Sequence, residues 1–279
     1  MKLWKIGCVI AALLLISGLQ PSLAASDPLP PLSAKDKAQM ASEVKQGADV
    51  AAQVAKENKF DTDKADVARV DAIGQKLAAI ANTTQYTAGF GNDKVFPFTW
   101  HFNIIDSKDV NAFSLPGGYV YINSGLLKFV HSDDELAGVL GHEITHSAHH
   151  HVQALSHVQS KMSTEMAIAM LAAVLAHVKP EDMANLYQGA SYAQMGILNH
   201  TYSEAAEKDA DHGGVILMTK AGFNAVGMLT FMQRLEEQEK VSPSVELGIL
   251  RDHPYTADRV IAVTQELKEM KIDVTPQAV

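Results

Sequence analysis

The chain carries a single cysteine among its 279 residues, Cys8, and that cysteine falls inside an apolar leader. Lys2 and Lys5 form a short basic start, Ile6 to Leu19 is apolar, and Pro21-Ser22-Leu23-Ala24 ends in the small residues that a signal peptidase reads. We therefore expect a signal peptide over 1–24, export to the periplasm, and a mature chain without any thiol. Disulfides and thiolate metal ligands are excluded, so any bound metal must be held by imidazole and carboxylate. Lys5-Ile6-Gly7 ahead of Cys8 is a poor lipidation signal. Positive charge is also scarce: the formal charge of −9 becomes −11 once Lys2 and Lys5 are removed. No basic tract remains to follow a phosphate backbone, which excludes nucleic acid as a partner. Long apolar runs are missing too. The longest in the mature chain, 162–178, is short for a membrane span and reads as a core helix, with a membrane-facing surface as its alternative. No repeat of solenoid period is present. The remaining roughly 250 residues suffice for one large or two small domains with a real core.

Past a proline-rich stretch near residues 26–32, apolar residues recur at helical spacing from Ala34 to Ala81 (Val44, Val50, Val54, then Val67, Val70, Ile73, Leu77), with a break near Asn58 to Thr62. We take 25–95 as a linker and packing helices and 96–279 as a second, chemistry-bearing domain. Thr83 to Phe96, with Gly89 and Gly91, reads as a loop. Thr99 to Ile105 alternates and is aromatic and β-branched, which predicts a strand, with His101 on its face rather than at a metal. A Pro116-Gly117-Gly118 turn then leads into the β-prone Tyr119-Val120-Tyr121. That strand reads either as an ordinary hairpin or as a sheet edge to which an extended peptide adds.

The most informative feature follows. Ser132-Asp133-Asp134-Glu135 is a capping box, and Leu136, Val139, Leu140 and Ile144 supply the apolar stripe of one helix. Within it lies His142-Glu143-Ile144-Thr145-His146. Residues four apart share a helical face, so both imidazoles reach one ion, and Glu143 points to where a water on that ion would lose its proton. This spacing is that of a zinc hydrolase. His149, His150, His151 and His157 enrich the same helix as polar-face or helix-end residues, and none is assigned to the ion.

A catalytic zinc needs a third protein ligand. Glu207 is the best candidate, since Asp211 four residues on would share its face and accept a hydrogen bond from a ligand imidazole. On its own, the stretch Tyr202 to Asp211 also reads as a solvated acidic helix end.

Taken in order, Leu115-Pro116-Gly117-Gly118-Tyr119-Val120-Tyr121, Gly141-His142-Glu143-Ile144-Thr145-His146, Glu207-x-x-Ala210-Asp211 and His253-Pro254 with Arg259 resemble the signatures of the zinc metallopeptidases that include HtpX and the CAAX prenyl proteases. The chain is most similar to their short periplasmic members. The resemblance covers about 95–265 and implies a mainly helical α+β, zincin-type fold of the gluzincin kind, with an active-site helix and a small sheet. It also implies one Zn²⁺ per chain, Glu207 as third ligand, and His253 near the metal as a transition-state contact or a resting fourth ligand. Two positions depart from the family, which usually has arginine where this chain has Glu204 and His150. The expected activity is that of a zinc endopeptidase acting on unfolded or misassembled envelope proteins. The rival readings are a chaperone-like scaffold with a closed zinc site and a His-rich zinc-binding protein.

Overall fold

The computed structural model describes residues 29–158, 204–241, 247–253 and 256–274. The leader 1–24, the apolar run 162–178, the His157 side chain and Pro254 lie outside the described residues. Two helices come first, α1 (Ala34–Glu57) and α2 (Lys64–Ala81). Ser33 and Asp36 form a reciprocal capping box at the start of α1. Asp63 accepts from the Ala65 and Asp66 amides at the start of α2, so the expected break near 58–62 is where one helix ends at its Asn58 cap and the next is capped in turn. Three short strands follow, β1 (His101–Ile105), β2 (Ala112–Leu115) and β3 (Tyr119–Asn123), and then α3 (Ser124–Phe129), α4 (Asp133–Ala148) and α5 (His151–Val158). The described remainder is helical: α6 (Glu204–Ala221), α7 (Val226–Val241), α8 (Gly248–Asp252) and α9 (Ala257–Glu269). The molecule is thus mainly helical with one small sheet, the expected α+β class. None of its described helices is long and apolar enough to cross a membrane.

The strand order is β1-β3-β2, with β1 parallel to β3 and β2 antiparallel to it. Gly117 and Gly118 turn the chain from β2 into β3 with φ of 77° and 93°, backbone that a side chain would strain. The order corrects one expectation. Tyr119, Val120 and Tyr121 lie on the central strand, flanked by partners on both sides, so a peptide cannot add there; the hairpin reading holds, and the edges of the described sheet are β1 and β2. His101 lies on the strand face as expected, exposed and stacked on Tyr119 with ring centroids 4.6 Å apart.

One core joins the helices to the sheet. Val70, Ile73 and Leu77 of α2 share it with Phe98, Ile122, Leu136, Leu140, Ile144, Leu217 and Leu267. The expected boundary near residue 95 therefore does not separate two cores, because α2 lies directly against α4. Each such side chain contributes on the order of 1.5–3 kcal/mol on burial, so a handful offsets the cost of the polar cluster described next.

Candidate active site

Helix α4 begins as the sequence predicts, with Ser132 Oγ accepting the Glu135 amide at 3.1 Å. Glu135 does not close the box onto Ser132. Its carboxylate accepts the His131 amide at 2.8 Å and Arg234 at 2.7 Å, which ties the start of α4 to α7. Leu136, Leu140 and Ile144 are fully buried, and Gly141 lets α6 approach: a Cβ there would lie 3.1 Å from the Gly214 Cα. That close crossing brings the acidic start of α6 over the two pentad histidines.

The result is a compact group of donors. His142 Nε2 lies 2.9 Å from His146 Nε2, and Glu207 sits 3.4 Å from the first and 3.3 Å from the second. From the end of α8, His253 Nδ1 lies 3.2 Å from both His142 Nε2 and Glu207 Oε1. All four residues are buried, and their ligand atoms lie within 4.8 Å of one another. The edge of a tetrahedron built on Zn–N bonds of about 2.0–2.1 Å is roughly 3.3–3.4 Å, so these separations suit such an ion.

Electrostatics points the same way. Asp211 Oδ1 holds His142 Nδ1 at 2.9 Å, which turns Nε2 towards the other donors. Burial disfavours charge on His142, yet Asp211 and Glu207 override it and push its pKa up to about 10. The site thus favours positive charge at this spot. His146, by contrast, is pushed well down by burial and stays neutral, as a ligand must. Burial alone would raise Glu207, but His253 and Arg259 hold it well below the usual carboxylate range. Three imidazole nitrogens and a carboxylate converge here out of water, and a group that draws positive charge to one spot suits a cation that takes the place of the His142 proton. The donor chemistry, nitrogen and oxygen without sulfur, fits Zn²⁺.

Glu143 is 1% exposed, and neither of its carboxylate oxygens has a hydrogen-bond partner. A buried, unsatisfied carboxylate is costly, and this one lies beside the donor group with His253 Nε2 at 3.4 Å. It borders a cleft of about 450 Å³, partly open to solvent, whose other wall is apolar: Phe231, Met232, Leu235, Ile249 and Leu250.

Sequence reasoning left several supporting residues without a role. Arg259, 5% exposed, binds Asp211 through two nitrogens at 2.7 Å and Glu207 at 2.8 Å. It appeared in the sequence only as the tail of a signature. Asp109 and Asn111, just ahead of β2, hold α8 by accepting the Gly248 amide at 2.7 Å and donating to Asp252 at 2.7 Å, which fixes the base of His253. Only the fold brings such distant polar residues together.

The histidine run also differs from expectation. His149, His150 and His151 are helix-end residues, the second of the two expected placements, but not of one continuous helix: α4 stops at Ala148, His150 takes a left-handed φ of 57°, and α5 restarts at His151. All three are buried and bonded. His150 faces Glu43 of α1 at 2.7 Å and the Lys94 carbonyl at 3.0 Å, so it links that turn to α1 where the family's arginine would be. Glu204 is exposed and pairs with Lys208 at 2.7 Å, so that departure does not touch the donor group.

An active-site helix under a small sheet, with an H-E-x-x-H pair, a glutamate from a second helix and a buried carboxylate beside them, defines a zincin-type metallopeptidase. Residues 65–267 match peptidase family M48, and the chain belongs to that family. It is 28% identical over 205 residues to a beta-barrel assembly-enhancing protease of Yersinia pestis, covering 72% of this chain and 39% of that protein. It is 30% identical over 167 residues to the mitochondrial metalloendopeptidase OMA1 of Bos taurus, covering 57% of this chain and 31% of that one. With the metalloprotease LoiP of Escherichia coli it shares 26% over 160 residues, 57% of this chain and 59% of that one. The chain thus spans well under half the length of the assembly-enhancing proteases it matches. Zinc is the metal of the family, and His142, His146, Glu207 and His253 could hold it.

Proposed function

We propose that the chain is a zinc endopeptidase that hydrolyses unfolded or misassembled polypeptides of the cell envelope, exported by its leader and acting in the periplasm. The observation that carries this reading is the buried donor group with Glu143 at its side. His142, His146 and Glu207 would hold the ion, Asp211 orients His142, and Glu143 would take a proton from the attacking water and pass it to the leaving amine. When bound, zinc supplies Lewis acidity and lowers the pKa of water towards neutrality. The apolar wall of the cleft suits an apolar side chain that only an unfolded chain exposes. Among the described residues the outer edge of β2 pairs with no strand, so β2 offers main-chain groups to an extended substrate. The envelope assignment is supported by the name of the Yersinia relative. Cleavage of casein by the full chain, lost on chelation and restored by Zn²⁺, tests the reading; no cleavage in the zinc-loaded protein would leave the scaffold alternative.

Glu207→Gln is expected to lower zinc occupancy after dialysis while the protein stays folded, because a neutral amide is a weak ligand and Asp211 is held by Arg259. Metal content equal to that of the wild type would mean that another group is the third ligand.

One observation favours a closed resting state. His253 Nδ1 lies as near the donors as Glu207 does, so it completes a set of four and must withdraw for a substrate carbonyl to enter. His253→Ala is then expected to raise basal casein cleavage with zinc retained. A fall in turnover instead would make His253 a contact of the transition state.

A further inference from the structure

Histidine ligands usually hand their second N–H to a carboxylate, a carbonyl or water. His142 does so, to Asp211. At His146 the structure shows something else: its Nδ1 lies 2.8 Å from Nδ1 of another imidazole, that of His151. His151 in turn places Nε2 2.9 Å from Asp209 Oδ2, and His149 Nδ1 lies 2.5 Å from that same oxygen. The other oxygen, Asp209 Oδ1, accepts the Gly89 amide. All these side chains are buried. Asp209 sits two residues from both Glu207 and Asp211, so it leaves α6 on a different side and meets the turn between α4 and α5 as that turn wraps round.

Resting on the zinc reading above, we infer that Asp209 and His151 are positioning residues that set the tautomer of His146 through a two-bond relay. A neutral His146 with its Nε2 lone pair on the metal carries its proton on Nδ1. That proton is donated to His151, which must then present a lone pair at Nδ1 and a proton at Nε2. Among the described residues, Asp209 Oδ2 is the acceptor that the Nε2 proton meets. Each bond fixes the direction of the next, so the carboxylate specifies which nitrogen of His146 faces the ion, at two removes. His149 and the Gly89 amide hold Asp209 in place.

The same logic rules on the cluster His149, His151 and Asp209 as a metal site of its own. His151 Nε2 cannot ligate an ion while it carries the proton the relay requires. Moving that proton to Nδ1 would set two N–H groups against each other across 2.8 Å. A second ion here and a correctly oriented His146 are mutually exclusive.

The test is zinc affinity of the full mature chain, measured by competition with a chromophoric chelator and read beside Tm of the zinc-free protein. Asp209→Asn keeps the shape but offers an amide in place of the anionic acceptor; His151→Phe keeps the ring and removes both nitrogens. Each is expected to weaken zinc binding roughly 10- to 100-fold, and Asp209→Glu is expected to recover part of the loss. Because the bonds are in series, the double variant should bind zinc no more weakly than His151→Phe alone. Unchanged affinity in Asp209→Asn, or additive losses in the double variant, overturns the relay. Two zinc ions per wild-type chain overturn it as well, in favour of a separate site. A wild-type protein that binds no zinc fails the metallopeptidase reading instead, and the two failures are told apart by the wild-type measurement.

Discussion

Glu143→Gln is expected to retain its zinc and its fold while losing casein hydrolysis by roughly two to four orders of magnitude, the usual contribution of a positioned general base. The substitution removes no donor, since His142, His146, Glu207 and His253 form the group that could hold the ion. It also relieves a cost, because both oxygens of Glu143 are buried without a hydrogen bond. A neutral amide is therefore expected to leave Tm unchanged or to raise it slightly, the pattern of a group kept for chemistry and not for stability. Activity near that of the wild type, with metal content confirmed, would remove Glu143 from the mechanism.

The largest effect on stability is expected at Arg259. Replacement by methionine keeps the chain's bulk but leaves the carboxylates of Asp211 and Glu207 buried without their shared cation. Breaking a buried pair in this way costs about 3–5 kcal/mol, which for a protein of this size lowers Tm by on the order of 10 °C. The measurement belongs in chelator-treated protein, where no ion compensates, and the loss should shrink when zinc is restored. Burial alone would raise the pKa of Asp211, but Arg259 outweighs it and holds the group below its ordinary value. A depressed carboxylate stabilises the fold fully above its unfolded pKa, about 3.9, and loses that contribution as pH falls through the lower folded value. Wild type should thus lose stability below about pH 4 more steeply than Arg259→Met. Pairing the change with Asp211→Leu should recover part of the loss; no recovery would mean that Arg259 acts through packing alone.

Local signals were strong enough to place several elements from the sequence. Ser132 and the stripe from Leu136 to Ile144 mark α4, and the spacing of His142 and His146 fixes their shared face, because helical geometry is set within a few residues. The alternation around Phe102 and Ile104 marks β1, and the positive-φ glycines mark the turn after Leu115. The third-ligand candidate was legible only as a spacing, with Glu207 and Asp211 four apart, and a solvated helix end fitted it as well. The histidine run was misread as one continuous helix. Nothing local marks the left-handed residue at His150, and pairing with Glu43, Lys94 and Asp209, 56 to 107 residues away, is what buries the turn.

Sequence alone determined the pentad, its helix and the scarcity of thiols, with Cys8 the single cysteine, since each is a matter of residue type and short-range spacing. Tertiary structure decided everything that depends on which surfaces meet. It put β3 in the middle of the sheet, because strand order is set by how β1 and β2 both pair with it and not by the pattern of any one strand. Through the contact between Gly141 and Gly214, it set Glu207 over the two histidines and Arg259 behind it. Burial then turned these separate polar residues into one coupled cluster, because only outside water are charges a few ångströms apart strong enough to hold one another in place.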